Sequence, residues 1–107
     1  MHSRYPLLQE ARDGETMYRV SDTVCSTHSQ DGAIVLDVRQ GQMFNLNFVG
    51  SRILELLKSG SPESVIVDEI SREFGVRRDI AQKDVHEFLQ NLKKCQLVEE
   101  QEPGGAV

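Results

Sequence analysis

The chain has 107 residues, of which 38% are hydrophobic, and its formal net charge is −5. This length suits one domain with a modest core, and the negative charge argues against nucleic acid as a partner, because phosphate binding needs a basic face. No apolar run is long enough to span a membrane. Cys25 and Cys95 lie far apart without CxxC spacing, so neither a zinc site nor a redox motif is predicted.

The two ends of the chain differ from its middle. The first sixteen residues are polar and irregular and lack the apolar segment of a secretory signal. We predict that residues 1–16 form a flexible arm and that the protein acts in the cytoplasm. Residues 99–107 carry three glutamates and a Pro-Gly-Gly sequence, which predicts a disordered tail. The folded domain is therefore expected to span residues 17–98.

Strand patterns occupy the first half of this domain. The first predicted strand covers residues 17–28 and places three apolar side chains on one face at even spacing, namely Tyr18, Val20 and Val24. The Asp31-Gly32 pair indicates a turn. The second strand covers residues 33–38 and has its larger apolar side chains on one face, namely Ile34, Leu36 and Val38.

A third strand follows the turn at Gly41. It covers residues 42–46 and places Phe44 and Leu46 inward. Three strands joined by short turns predict an antiparallel meander, in which the second strand is central and the first and third are edges. An edge strand next to a helix is a site that takes up an extended peptide.

Three helices are predicted after the strands. Asn47 is a good N-cap for a helix through about Lys58, and Gly50 is expected to let this helix pack close to a neighbour. The second helix begins around Ser61-Pro62-Glu63 and ends at Gly75.

The third helix is expected to begin at Asp79, with Gln82 completing a capping box. Its apolar positions form one wide face, composed of Ala81, Val85, Phe88, Leu89, Leu92 and Cys95. Strands followed by helices predict an α+β domain with a winged-helix-like helical part.

The sequence shows no recognisable set of catalytic residues. His2, His28 and His86 lack ligand spacing, and no motif marks a nucleophile, although a catalytic triad is spatial and would not show in the sequence. We therefore predict no catalytic residues, no metal site and no cofactor.

Two stretches of the chain resemble the PqqD-like family. The first comprises Val35-Leu36-Asp37, Gly41, Phe44, Leu46-Asn47, Val49-Gly50, Ile53 and Leu56-Leu57. The second comprises Val67-Asp68-Glu69-Ile70, Phe74, Val76, Asp84-Val85, Phe88-Leu89, Leu92 and Leu97-Val98. The resemblance as a whole covers roughly residues 17–98. The members of this family are leader-peptide-binding domains, also called RiPP recognition elements, where RiPP denotes a ribosomally synthesised and post-translationally modified peptide.

The resemblance implies a function without catalysis. Such domains hold the leader of a precursor peptide, which adds as a strand to the third strand and packs against the third helix, while other enzymes modify the core. The expected partner enzyme is a leader peptidase, a cyclase or a radical SAM enzyme. Carried over to this chain, the peptide-binding residues are Gln42, Met43, Phe44, Asn45, Leu46, Asp84, Val85, Phe88, Asn91 and Leu92. No nucleic acid or membrane is expected as a partner, and the protein is expected to be a monomer or a dimer.

Several alternatives stay open at this stage. The turn Arg39-Gln40-Gly41 departs from the Pro-Glu-Gly turn of proteins in pyrroloquinoline quinone synthesis. The chain thus looks more like the leader-binding partner of a lasso-peptide protease, with pyrroloquinoline quinone synthesis as the second reading. A winged-helix DNA-binding protein, a small enzyme and a structural subunit are rival classes.

Overall fold

The computed structural model describes residues 16–101, so most of the predicted arm and residues 102–107 lie outside it. The elements in chain order are β1 (Met17–Val20), β2 (Val24–Ser29), β3 (Gly32–Asp37), β4 (Gln42–Leu46), α1 (Phe48–Lys58), α2 (Glu63–Phe74), α3 (Arg78–Lys94) and β5 (Val98–Gln101). In the described part of the chain, no helix is long and apolar enough to cross a bilayer.

Strands β2, β3 and β4 form the predicted antiparallel meander. Their order in the sheet is β2-β3-β4, so β3 is central and β4 is an edge strand. The three helices follow directly after β4, and Phe44 and Leu46 pack against the core from the inner face of the sheet. The predicted α+β fold is confirmed.

The predicted first strand is interrupted. The chain turns at Ser21, whose C=O accepts from the N–H of Val24 over 3.1 Å, and the hydroxyls of Ser21 and Thr23 lie 3.1 Å apart. Residues 17–20 and 24–29 consequently belong to two different sheets. The prediction of one continuous strand was wrong because small polar side chains closed a turn within an otherwise alternating pattern.

The first three residues of the predicted tail are ordered in strand β5. This strand pairs antiparallel with β1, which places Arg19 opposite Glu99 and Val20 opposite Val98. The Arg19 guanidinium lies 3.3 Å from the Glu99 carboxylate, and the ammonium of Lys93 lies 2.9 Å from Glu100. The prediction of disorder was therefore wrong for residues 99–101, where basic partners offset the acidic run.

The central strand β3 turns its larger apolar side chains outward. Ile34 and Leu36 share a face as predicted, but they are 49% and 37% exposed. The opposite face, which packs on the helices, carries Ala33, Val35 and Asp37. Their smaller volume lets α1 lie close against the sheet.

The core lies between this inner face and the three helices. It consists of Tyr18, Val35, Ile53, Leu54, Leu56, Leu57, Ile66, Val67, Ile70, Ala81, Val85, Leu89, Leu92, Leu97 and Val98. Asn47 caps α1 as predicted, because its Oδ1 accepts from the N–H of Gly50 over 2.8 Å. The predicted capping box at Asp79 was wrong, since α3 begins one residue earlier and its N-cap makes no side-chain hydrogen bond.

A buried carboxylate organises the turn between β3 and β4. The side chain of Asp37, which is 0% exposed, accepts from the Thr23 hydroxyl over 3.1 Å and from the amide side chain of Gln40 over 2.6 Å. It also accepts from the N–H groups of Arg39 and Gln40. Burial by itself would raise the pKa of this carboxyl, but the hydrogen bonds from Gln40, Thr23 and Arg39 outweigh it and lower the pKa.

The substitution Asp37→Asn should destabilise the domain in a pH-dependent way. The folded-state pKa of Asp37 lies below the ordinary value of 3.8, so the carboxylate stabilises the fold above that pH and loses its contribution as the pH falls through the folded-state pKa. At pH 7 we expect the Tm of the variant to fall by about 5 °C, and the difference from the wild-type chain to shrink in acid.

Thermal unfolding followed by circular dichroism from pH 7 to pH 2.5 measures this difference. Asp31→Asn, in the exposed turn between β2 and β3, is the matched control and should leave the Tm nearly unchanged. A loss of stability by Asp37→Asn that is equal at every pH would contradict the assigned role of the charge.

Candidate functional site

Strand β4 has one edge without a strand neighbour in the described part of the chain, because β3 lies between β4 and β2. In an antiparallel ladder, alternate residues exchange hydrogen bonds with one neighbour, while the residues between them direct their N–H and C=O groups to the other side. The register of the sheet therefore decides which backbone groups of β4 face the open edge.

The pairing of β3 fixes this register. The N–H of Val38 donates to the C=O of Thr23 over 3.0 Å, which directs the even-numbered residues of β3 toward β2. The odd-numbered residues of β3 consequently bond to β4, and their partners there are Gln42, Phe44 and Leu46. The N–H and C=O groups of Met43 and Asn45 thus face the open edge.

Helix α3 runs beside this edge in the opposite direction to β4. At one end, the side chain of Gln40 donates to the C=O of Cys95 over 3.4 Å. At the other end, Asn45 and neighbouring residues share a cleft with Asp84 and Phe88 of α3. A strand added to β4 would therefore lie against the flank of α3 that carries these two residues.

The cleft between β4, α1 and α3 has a volume of about 430 Å³. It is lined by Asn45, Leu46, Asn47, Val49, Gly50, Ile53, Asp84 and Phe88. Its deep part is apolar, since Ile53 and Gly50 are buried and Phe88 is half-buried, whereas Asn45 and Asp84 are exposed at the rim. The cleft is thus suited to an apolar side chain with polar groups at its entrance.

Gly50 determines how deep the cleft is. A Cβ atom at this position would lie 3.2 Å from two ring atoms of Phe88 and 3.3 Å from Oδ1 of Asn47. Because glycine has no Cβ, the Phe88 ring packs directly on α1 and leaves the space above it open. The sequence-based expectation that Gly50 allows a close approach is confirmed.

The structure brings four of the ten predicted peptide-binding residues into this cleft, namely Asn45, Leu46, Asp84 and Phe88. Val85 and Leu92 point into the core, where they are 0% and 5% exposed. Gln42, Met43 and Phe44 form the rest of the edge strand, and Asn91 is exposed on α3. Contact with a peptide remains a prediction for all ten residues. The four residues that share the cleft lie at the centre of the predicted site.

Sequence reasoning did not assign Val49, Gly50 or Ile53 of α1 to the site. In the sequence, Val49 and Ile53 lie in an apolar stripe of the first helix, and Gly50 is its expected close-packing position. A glycine within such a stripe was the available signal, because it marks a place where another element approaches closely. The identity of that element, α3, follows only from the packing of the helices.

His28 lies within a group of polar residues near the opposite edge of the sheet. Its Nδ1 is 2.7 Å from the Ser51 hydroxyl and 3.5 Å from the Glu55 carboxylate, and its Nε2 is 3.3 Å from the Ser26 hydroxyl. Lys58 in turn donates to Ser26. Both ring nitrogens are therefore occupied: the Nδ1 contacts join β2 to α1 and the Nε2 contact lies within β2, which is a structural role.

A second cleft of about 590 Å³ lies on the other flank of α3. There the buried Glu63 accepts from the Tyr18 hydroxyl over 3.2 Å and is 3.0 Å from Nδ1 of His86. These three groups satisfy one another and connect β1, α2 and α3. Among the described residues, no group of three or more side chains has the composition of a metal site.

Comparison with known proteins relates this architecture to characterised chains. Over residues 32–98 the chain matches the family described as coenzyme PQQ synthesis protein D (PqqD). A similar solved structure is described as TbiB1 in complex with the TbiA(beta) leader peptide. That chain is 38% identical, with a TM-score of 0.72 and coverage of 76% of this chain and 94% of that one.

A second solved structure shares the fold at lower identity. It is described as lasso peptide synthetase B1 complexed with the leader peptide, and it is 22% identical with a TM-score of 0.70, covering 77% of this chain and 96% of that one. No curated protein sequence matches the chain. Since the family match extends over more than half of the chain, from β3 through α3, and the resemblance noted in the sequence is confirmed, the chain belongs to the PqqD family.

Proposed function

We propose that this protein binds the leader of a ribosomally synthesised precursor peptide and presents it to modifying enzymes, without catalysing a reaction itself. The observation that carries this proposal is the open edge of β4 beside a cleft with an apolar interior. A chain 38% identical to this one is described in complex with a leader peptide, which supports the same use of the fold here. Because its ligand would come directly from the ribosome, we place its action in the cytoplasm.

In the proposed complex, the leader adds as a fourth strand next to β4. Met43 and Asn45 each offer one N–H and one C=O, so up to four main-chain hydrogen bonds can form. At about 1 kcal/mol net for each bond, they contribute about 4 kcal/mol, whereas a micromolar dissociation constant needs about 8 kcal/mol. Side chains in the cleft must therefore supply the remainder and the selectivity.

Lasso-peptide biosynthesis is the proposed context, with a leader peptidase and a cyclase as the enzymes that receive the peptide. The 38% identical relative and its leader peptide support this choice. Pyrroloquinoline quinone synthesis, with a radical SAM enzyme as the partner, is the second candidate and is favoured by the description of the matching family. A winged-helix DNA-binding role is not favoured, because the three-stranded sheet β2-β3-β4 precedes all three helices and α3 mixes acidic with basic residues.

Peptide binding without chemistry is the first expected result. The purified protein should bind the unmodified leader of the precursor encoded next to its gene, or the TbiA(beta) leader as a heterologous probe, with a dissociation constant of about 1 μM. Isothermal titration calorimetry measures the binding, and mass spectrometry of the recovered peptide should show an unchanged mass. A change in peptide mass without an added enzyme, or tighter binding of duplex DNA than of either leader, would contradict the proposal.

The substitution Asn45→Pro should separate binding from folding. Proline removes an N–H that faces the open edge, so the ladder with β3 is kept while leader affinity falls about tenfold. Ser26→Pro removes an outward-facing N–H at the opposite edge of the sheet. It also removes the hydroxyl that contacts His28 and Lys58, and it should leave the affinity of the folded protein unchanged. Phe44→Pro removes an N–H that bonds to β3 and should destabilise the domain, as measured by thermal unfolding. Equal losses of affinity for Asn45→Pro and Ser26→Pro would place the peptide elsewhere.

The substitution Gly50→Ala should have opposite effects on stability and binding. Alanine is the better helix former by about 1 kcal/mol, so the Tm should stay the same or rise. Its Cβ would displace the Phe88 ring, 3.2 Å away, into the cleft, and leader affinity should fall about fivefold. Ser64→Ala in α2 is the control for a change of helix propensity alone. Unchanged affinity for Gly50→Ala would show that the cleft takes no part in binding.

A further inference from the structure

Among the acidic side chains of the three helices, two on α3 lack a basic partner in the described part of the chain. Contacts with basic side chains occupy Glu55, Glu63, Asp68, Glu69, Glu73 and Asp79. Asp84 and Glu87 make no ion pair or side-chain hydrogen bond with any described residue. Both are exposed, but only Asp84 lines the cleft beside β4.

Asp84 therefore places an uncompensated negative charge at the entrance of a cleft whose interior is apolar. The polar lining residue that β4 contributes is Asn45, which carries no charge, and the other lining residues are also uncharged. A peptide that lies between β4 and α3 would exclude water from part of the Asp84 carboxylate. That cost is offset when the peptide brings a cationic donor to the same place.

The residue spacing along α3 and along an added peptide strand limits where the cationic group of the peptide can lie. Asp84 and Phe88 are four residues apart on α3, which corresponds to about 6 Å along the helix. Side chains on the same face of a strand are two residues and about 6.8 Å apart. Because α3 lies alongside β4, an added strand would bring one inward-facing side chain to Asp84 and the next inward-facing one to the pocket above Phe88.

We infer that Asp84 is a specificity-determining residue of this site, which selects peptides carrying a lysine or arginine two residues from an apolar side chain. The apolar side chain occupies the space bounded by Gly50, Ile53 and Phe88, and the basic side chain pairs with Asp84 at the rim. This inference rests on the proposed leader-binding function and names the kind of peptide that the site accepts.

A library of random 12-residue peptides displayed on phage, selected on the intact protein, tests the inference. Peptides that bind the wild-type chain but not the Asn45→Pro variant use the β4 edge. Among these, we expect enrichment of lysine or arginine two positions from an apolar residue. Selection on Asp84→Lys should instead enrich aspartate or glutamate at the position of the base.

A double-mutant cycle on one selected peptide then measures the pair. Asp84→Asn should weaken binding about five- to tenfold, and replacing the peptide's basic residue by glutamine should do the same. The two changes together should cost little more than either alone. Glu87→Gln removes an equal charge from the same helix, one turn beyond Asp84, and should change affinity less than about twofold, since Glu87 does not line the cleft and its exposed carboxylate stays in water.

The outcomes separate this inference from the function on which it depends. Selected peptides that bind the Asn45→Pro variant as well as the wild-type chain would overturn the β4 site, and with it the inference. Peptides that require the β4 edge yet show no basic enrichment would leave the proposed function standing and overturn the role of Asp84. Equal effects of Asp84→Asn and Glu87→Gln would also overturn it, because they would indicate only the overall charge of α3.

Discussion

Strand β4 is bonded along one side only, and the remaining features of the site depend on which of its groups face the other side. That alternation is set where β3 ends, at the buried carboxylate of Asp37. By accepting hydrogen bonds from Thr23 and from the turn at residues 39–40, Asp37 fixes the residue at which the chain reverses. A shift of one residue would direct the N–H groups of Met43 and Asn45 toward β3 and would turn the side chains of Phe44 and Leu46 away from the core.

The cleft depends on the short connection between β4 and α1. Asn47 alone separates the strand from the helix, and its side chain caps the first turn by accepting from Gly50. The same Gly50 lets Phe88 of α3 pack directly on α1. The residues that begin the helix thus also determine the shape of the space beside the strand edge, which couples helix initiation to the geometry of the proposed peptide site.

Helix α3 is held from its other flank by contacts that take no part in the cleft. The Tyr18 hydroxyl and the His86 ring both reach the carboxylate of Glu63. Burial, together with the negative charges of Glu63 and Glu100, raises the pKa of Tyr18, so its hydroxyl keeps its proton and remains a donor. These contacts, with the β1–β5 ribbon, connect the two ends of the domain and position α3 beside β4.

Local patterns in the sequence sufficed for the meander, the three helices and several individual roles. Alternating apolar residues and the turns at Asp31-Gly32 and Gly41 predicted the sheet, and Asn47 and Gly50 were assigned correctly, because each of these signals acts within a few residues. The resemblance carried by residues scattered from Val35 to Val98 then pointed to the family. It did not show which of these residues are exposed.

Contacts between residues far apart in the chain decided the remaining features, namely strand β5 and the exposure of the residues at the site. Strand β5 could not be read from an acidic tail, because its partner β1 lies about 80 residues away in the chain and the basic side chains that offset its charge come from other elements. Val85 and Leu92 share a helix with Asp84 and Phe88, yet packing buries the first two and leaves the second two at the cleft. The sequence by itself determined that a third strand would be an edge beside helices. Only the tertiary structure decided that Met43 and Asn45 present their backbone to that edge and that Asp84 stands unpaired next to it, because register and helix packing are set by hydrogen bonds and contacts between residues far apart in the chain.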